Sequence, residues 1–214
     1  MTKPRSKLTI DYCGRQPPFV RNLVVLLAAS FLLLGLLGGC VRRTPHQRLK
    51  WKVEDFFKDR GVVSLCKAIE AKNLKEIDRL VKSGVDVNAK GRGNMTPLLW
   101  AFPMGEEVFK KVLDLGADPN VVLTENYLLL KGKSVVFATV ELADGPMHYE
   151  YFRDVPMKNY LGMVLDHGGD PNAQDPAKQT PLFFIAHRSR KLEEKMIRLL
   201  LAAGANINHR DGEE

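Results

Sequence analysis

Little in this 214-residue chain is suited to catalysis. No G-x-S-x-G elbow presents a serine and no glycine-rich loop cradles a phosphate. The five histidines, His46, His148, His167, His187 and His209, are scattered. None has a zinc-protease spacing and no motif supplies a second ligand. The chain is therefore read as no enzyme, with no metal, no cofactor and no small-molecule substrate. Cysteine is scarce too. Cys13 and Cys40 fall in the first forty residues, which leaves Cys66 alone in the body, so no disulfide can staple it. Cys66 lies on a predicted helix and reads as a small buried hydrophobe rather than a reactive thiol. Spare basic charge is also missing from the body. The chain has 32 Lys and Arg against 25 Asp and Glu, but residues 1–39 hold five basic and one acidic, and residues 41–60 hold seven and three. The remainder has 20 basic against 21 acidic residues. A nucleic-acid reader needs its cations on the folded domain, so nucleic acid is excluded as a partner.

The chain has one long hydrophobic run. Lys3, Arg5, Lys7, Arg15 and Arg21 precede an almost wholly apolar stretch, Leu23 to Leu37, followed by Gly38, Gly39 and Cys40. A basic region, an apolar region and small residues before a cut make a secretory signal. Leu37–Cys40, L-G-G-C, resembles the lipobox of bacterial lipoproteins. That resemblance implies a cysteine that is acylated and becomes the new amino terminus. It makes residues 1–39 a signal peptide and residues 40–50 a lipidated Cys40 with a basic tether. The competing reading is an uncleaved transmembrane anchor, since Leu23 to Gly39 is 17 residues, at the short edge of a bilayer span. Both readings place the body outside the cytoplasm. Val41 after the cysteine, where an inner-membrane retention signal would place Asp, favours the outer membrane, facing the periplasm. Residues 51–61, with Val53, Phe56 and Phe57 apolar, are expected to form a capping helix over the first repeat, the alternative being a membrane-surface helix led by Trp51.

Thr96 to Asn120 reads TPLLWAFPMGEEVFKKVLDLGADPN. Thr96 and Pro97 are a helix start, a hydroxyl cap before a residue with pre-set φ. Leu98 to Ala101 form a short apolar helix, broken by Pro103 and Gly105. Val108, Val112 and Leu113 mark a second helix, stopped by Gly116 in the left-handed position. The stop phrase recurs as VKSGVDVN (Val81 to Asn88), LDHGGDPN (Leu165 to Asn172) and LAAGANIN (Leu201 to Asn208), and the start phrase T-P-L recurs at Thr180–Leu182. This pattern resembles the ankyrin repeat. It implies an all-α stack of about four helix–turn–helix units over residues 62–212, divided near 62–92, 93–124, 125–176 and 177–212. Val63 and Ser64 replace Thr-Pro in the first unit, whose helix start is expected to be weak.

The stop glycines expose an irregularity. Gly84 to Gly116 is 32 residues and Gly168 to Gly204 is 36, but Gly116 to Gly168 is 52. One repeat is roughly 33 residues, so the third unit carries insertions. Asn88 to Thr96 and Asn172 to Thr180 are each eight residues, whereas Asn120 to Ser134 is fourteen. The first insertion is thus Val121 to Lys133, VVLTENYLLLKGK. The second, between the unit's two helices, is roughly Asp144 to Val155. Both are apolar for loops, and each either folds back onto its own repeat or contacts a partner.

The ankyrin resemblance implies a protein partner, held by the fingers between repeats and by the first helices. The candidate partner-binding residues are Lys90, Arg92 and Lys178 as finger cations, Tyr127, Leu128 and Leu129 in the first insertion, and Tyr149, Tyr151 and Phe152 in the second. Small ankyrin lipoproteins of this kind resemble immunity proteins against secreted antibacterial toxins. The alternative is a structural or chaperone-like envelope lipoprotein that holds an exported enzyme. Fold alone does not choose between them.

Overall fold

The computed structural model describes residues 44–143, 159–187 and 193–210. The expected leader, Cys40 and the second insertion, with Tyr149, Tyr151 and Phe152, lie outside the described residues. Among the described residues the chain is all-α, with ten α-helices, two 3-10 turns and no strand. None of these helices is long and apolar enough to cross a membrane.

Eight helices form four antiparallel pairs. They are α3 (Arg60–Glu70) with α4 (Leu74–Lys82), α5 (Pro97–Ala101) with α6 (Glu106–Asp114), α7 (Val135–Glu141) with α8 (Tyr160–Asp166), and α9 (Pro181–Ala186) with α10 (Glu193–Ala202). First helices pack on first helices, α3 on α5 and α7 on α9. Second helices pack on second helices, α4 on α6, α6 on α8 and α8 on α10. This is the stack that the ankyrin resemblance implies. Its core runs unbroken from repeat to repeat through Leu65, Ile77, Leu98, Phe109, Val136 and Val164.

The helix starts follow their caps. Thr96 accepts a hydrogen bond from the Leu99 N–H at 3.3 Å, and Thr180 does the same for Phe183, each with proline next. Repeat one lacks Thr-Pro, yet its first helix is not weakly started. The Asp59 carboxylate accepts from the Val62 N–H at 2.9 Å, so the helix begins at Arg60, earlier than expected. The second helices are each followed by a glycine at positive φ, between 84° and 97°, at Gly84, Gly116, Gly168 and Gly204.

The stop-phrase aspartates serve the turns, as their recurrence suggests. Asp86, Asp118 and Asp170 each accept at 2.8 Å from the N–H two residues on. The asparagine that follows bridges repeats. The Asn88 amide donates to the Gly116 carbonyl at 2.9 Å, and its oxygen accepts from the Asp118 N–H at 2.7 Å. Asn120 and Asn172 repeat this bridge to the next unit.

The amino-terminal segment departs from expectation. Part of the expected tether is folded: Pro45–Leu49 is α1, closed by a capping box between Thr44 and Gln47. Over residues 51–61 there is no single capping helix, only α2 (Val53–Phe56), and Arg60 already belongs to α3. Nor does this arm sit on the outer end of repeat one. It runs along the first-helix face, α1 against the 3-10 turn Phe102–Met104 and α2 against α3 and the 3-10 turn Arg92–Asn94. The reason is apolar area. Trp100 offers a whole indole on that face, whereas the outer surface of α4 exposes Lys75 and Arg79.

Candidate functional site

Three fingers project between the repeats, and each is a bonded turn. In the first, the Gly91 N–H donates to the Met95 carbonyl at 2.8 Å. In the second, the Leu123 N–H donates to the Lys133 carbonyl at 3.1 Å and the Gly132 N–H returns to the Leu123 carbonyl at 2.7 Å. In the third, the Asp175 carboxylate accepts from the N–H groups of Ala177 and Gln179, both at 2.9 Å. Neighbouring fingers are laced together. The Thr124 N–H donates to the Gly93 carbonyl and the Asn94 amide to the Val122 carbonyl, both at 3.0 Å. At Gly93 a Cβ would lie 2.6 Å from the Tyr127 ring, so only glycine admits that ring.

The first insertion divides its residues between inside and outside. Leu123, Tyr127 and Leu130 are buried. Tyr127 is therefore not a free anchor: it is 9% exposed, its ring meets Trp51 and Phe56 edge-on, and its hydroxyl donates to Glu125 at 2.8 Å. Burial first, and then the Glu125 carboxylate, push its phenol up to about 12. Leu128 is half-buried. Leu129 is 58% exposed at the fingertip. Leu128 and Leu129 have φ of 54° and 67° and are the central residues of a turn closed by the Leu130 N–H to the Tyr127 carbonyl at 2.9 Å. Turns with two positive φ values ordinarily take Asn-Gly. Each leucine there costs about 1–2 kcal/mol. The chain thus bears strain to hold an apolar side chain in water, and strain of this kind marks functional segments.

The finger cations separate in a similar way. Arg92 is spent within the protein, its guanidinium bound to the Glu125 carboxylate at 2.9 Å. That contact, with the Tyr127 hydroxyl next, holds the Glu125 carboxyl below its usual range. Lys90 and Lys178 are exposed, and among the described residues neither makes an ion pair. Lys131 on the middle finger is a third such lysine and was missed in the sequence reading, although it lies in VVLTENYLLLKGK. The three fingers therefore each present a lysine, with Leu129 beside Lys131. Lys178 sits at φ 59°, and its carbonyl accepts from the His209 ring at 2.6 Å.

The first-helix face is closed over repeats one to three. Trp100 is fully buried under the arm, stacked on His46 at 4.1 Å and meeting Trp51, Phe56 and Phe57 at 6.1, 5.3 and 6.3 Å between ring centres. Its indole N–H donates to Glu70 at 3.1 Å. Burial lowers the His46 imidazole to about 4, only partly countered by the Trp100 backbone, and raises the Glu70 carboxyl. Between arm, α5 and the insertion remains an apolar void of about 20 Å³, lined by Trp51, Leu99, Phe102, Tyr127, Leu130 and Leu142. It holds no more than one water-sized sphere and has no polar group to keep a water. Beside the first finger an open cleft of about 660 Å³ is lined by Asp55, Lys58, Asp59, Lys90 and Arg92, with both signs of charge.

Among the described residues no group of His, Cys, Asp and Glu can hold a metal ion. Cys66 is buried and its thiol is pushed well up by burial, then by Glu70, so it is a core residue. His167 joins repeats: one ring nitrogen meets the Met163 carbonyl at 2.7 Å and the other Asp114 at 3.0 Å.

Residues 178–212 match the family model described as Ankyrin repeat, a stretch that takes in repeat four from Lys178 to the last turn. No curated protein matches the chain. With the stacked helix pairs, this match makes the fold an all-α ankyrin-repeat stack and supports a protein–protein interaction module, a fold whose members are typically not enzymes.

Proposed function

We propose that this chain is a lipid-tethered interaction module of the bacterial envelope, which grips an acidic surface of a protein partner with its fingertips. Lys90, Lys131 and Lys178 supply the charge, and Leu129 is the apolar anchor. The observation that carries this reading is the strained turn that keeps Leu129 exposed between lysines on three successive fingers. The filled first-helix face supports it too, because over repeats one to three it leaves the tips rather than the groove to meet a partner. A few desolvated side chains carry most interface energy, and rim cations steer the encounter. Occluding a secreted antibacterial toxin is the role this arrangement fits best. A small stack that binds by its fingertips blocks an active site without needing chemistry of its own.

Capture from detergent-solubilised envelope tests the site. Wild type should retain a discrete protein, and the Lys90→Glu, Lys131→Glu, Lys178→Glu triple variant should lose it while keeping its helical spectrum. Retention by the triple variant overturns the fingertip reading. The tether is tested separately. Cys40→Ser should abolish fatty-acid labelling, and normal labelling of that variant rules out the lipidated cysteine.

A further inference from the structure

The exposed turn at Leu128–Leu129 does not stand alone. It follows Tyr127, whose carbonyl closes it by accepting from the Leu130 N–H at 2.9 Å. Among the described residues, both rings that meet the Tyr127 ring, Trp51 at 5.8 Å and Phe56 at 5.3 Å, belong to the amino-terminal arm. The arm reaches the first finger as well. At Gly91 a Cβ would lie 2.6 Å from the Phe56 carbonyl and 2.8 Å from the Phe57 ring, so any side chain there would displace the arm. That finger in turn holds Tyr127. The Arg92 carbonyl lies 3.3 Å from the Tyr127 hydroxyl, and Arg92 and Tyr127 both bind Glu125. The base of the middle finger is fixed differently, by Lys133 paired with Glu141 of α7 at 2.5 Å. The repeats thus hold the base of the finger, and the arm holds its tip. Two successive leucines at positive φ persist only where packing over-determines them, and here the arm supplies that packing.

We propose that the arm is a strap: it docks and releases as one unit with the tip of the middle finger, and its docking sets the exposed Leu128–Leu129 turn. The helices of the arm, α1 and α2, have five and four residues, too short to persist undocked, so the arm is folded only while it is in place. The apolar void of about 20 Å³ lies along the seam between arm and finger, where missing contacts weaken the hold. As regulation of the fingertip site, the strap rests on the function proposed above. Linkage makes the coupling reciprocal. A partner on Leu129 tightens the arm, and loosening the arm lowers affinity at Leu129.

Amide exchange of the full chain in detergent, followed by NMR at low urea concentrations, tests the strap. The reporters are three buried residues with backbone-bonded N–H groups: Phe57 of the arm, Leu130 of the finger and Phe109 of α6. In the wild type, Phe57 and Leu130 should share one urea dependence and exchange about tenfold or more faster than Phe109. Different urea dependences for Phe57 and Leu130, or exchange of all three together, overturn the strap. Trp51→Ala should speed Leu130 about tenfold and leave Phe109 unchanged. Trp51→Phe, which returns a ring to Tyr127, should bring Leu130 back. An unmoved Leu130 in Trp51→Ala, or a Phe109 speeded equally, overturns it too. Trp51→Ala keeps Leu129 and the fingertip lysines, yet it should retain about tenfold less of the envelope protein that wild type captures. Undiminished retention overturns the coupling to binding. The exchange readings need no partner, so a failed fingertip site leaves them intact.

Discussion

The imidazole of His46 lies on the indole of Trp100, ring centres 4.1 Å apart and planes 14° from parallel. A residue from the stretch read as a tether thus rests on the first helix of repeat two, and His46 is 1% exposed. The arm is a working part of the fold. It covers the surface that first helices would otherwise offer.

This contact should respond to pH. The unfolded chain binds a proton at His46 near 6.5, and the folded protein holds its pKa at about 4. Between those values the unfolded state binds more protons, so stability falls as pH falls through that window. The full loss is on the order of 3 kcal/mol. Glu70, raised by burial, acts in the opposite sense, so a variant must isolate the histidine. His46→Phe keeps the aromatic stack and should flatten the pH dependence between 6.5 and 4. Both tryptophans of the chain, Trp51 and Trp100, sit in this cluster, so their fluorescence in denaturant titrations reports it. An unchanged slope in the variant would place the pH response elsewhere.

Leu129→Gly separates packing from binding. Glycine is at ease at φ 67°, and little burial is lost at a residue 58% exposed. The variant should melt at the wild-type temperature or higher, gaining up to about 1 kcal/mol. It should also lose most of its partner affinity. Weaker folding with undiminished capture would make the turn a structural element after all.

Gly116→Val tests the repeat frame. Nothing lies within 4 Å of a Cβ built at Gly116, so the cost is torsional rather than steric, at φ 89°. A β-branched residue there should destabilise by about 1–3 kcal/mol in urea titrations. Pro181→Ala, at a helix start where no N–H is needed, should cost clearly less. Equal effects would contradict the assigned role of the glycine.

The repeats were legible in the sequence because their signals are local. Thr-Pro at Thr96 and Thr180, the stop glycines and the 52-residue gap need no knowledge of tertiary contacts. Cys66 as a core residue was equally plain from its place on an apolar helix face. The arm was not legible, because HQRLK reads as polar linker until Trp100 is seen to need cover, and the pairing of His46 with Trp100 spans about fifty residues. The Asp59 cap was hidden because it precedes the register set by the other repeats. Within the first insertion, composition gave the apolar character but not its direction. Tyr127 turned inward because Gly93, on another finger, leaves room for its ring. The asparagine bridges hid behind a repeat consensus that also satisfies the turns.

The fingertip site is most directly tested by photo-crosslinking in living cells. A photoreactive residue is placed at Leu129, at Lys178 and, as an outer-helix control, at Lys110. The expected result is one cross-linked envelope protein from positions 129 and 178 and none from 110, lost when Lys90, Lys131 and the remaining fingertip lysine are changed to glutamate. Cross-links from position 110 with silence at 129 and 178 would contradict the fingertip site.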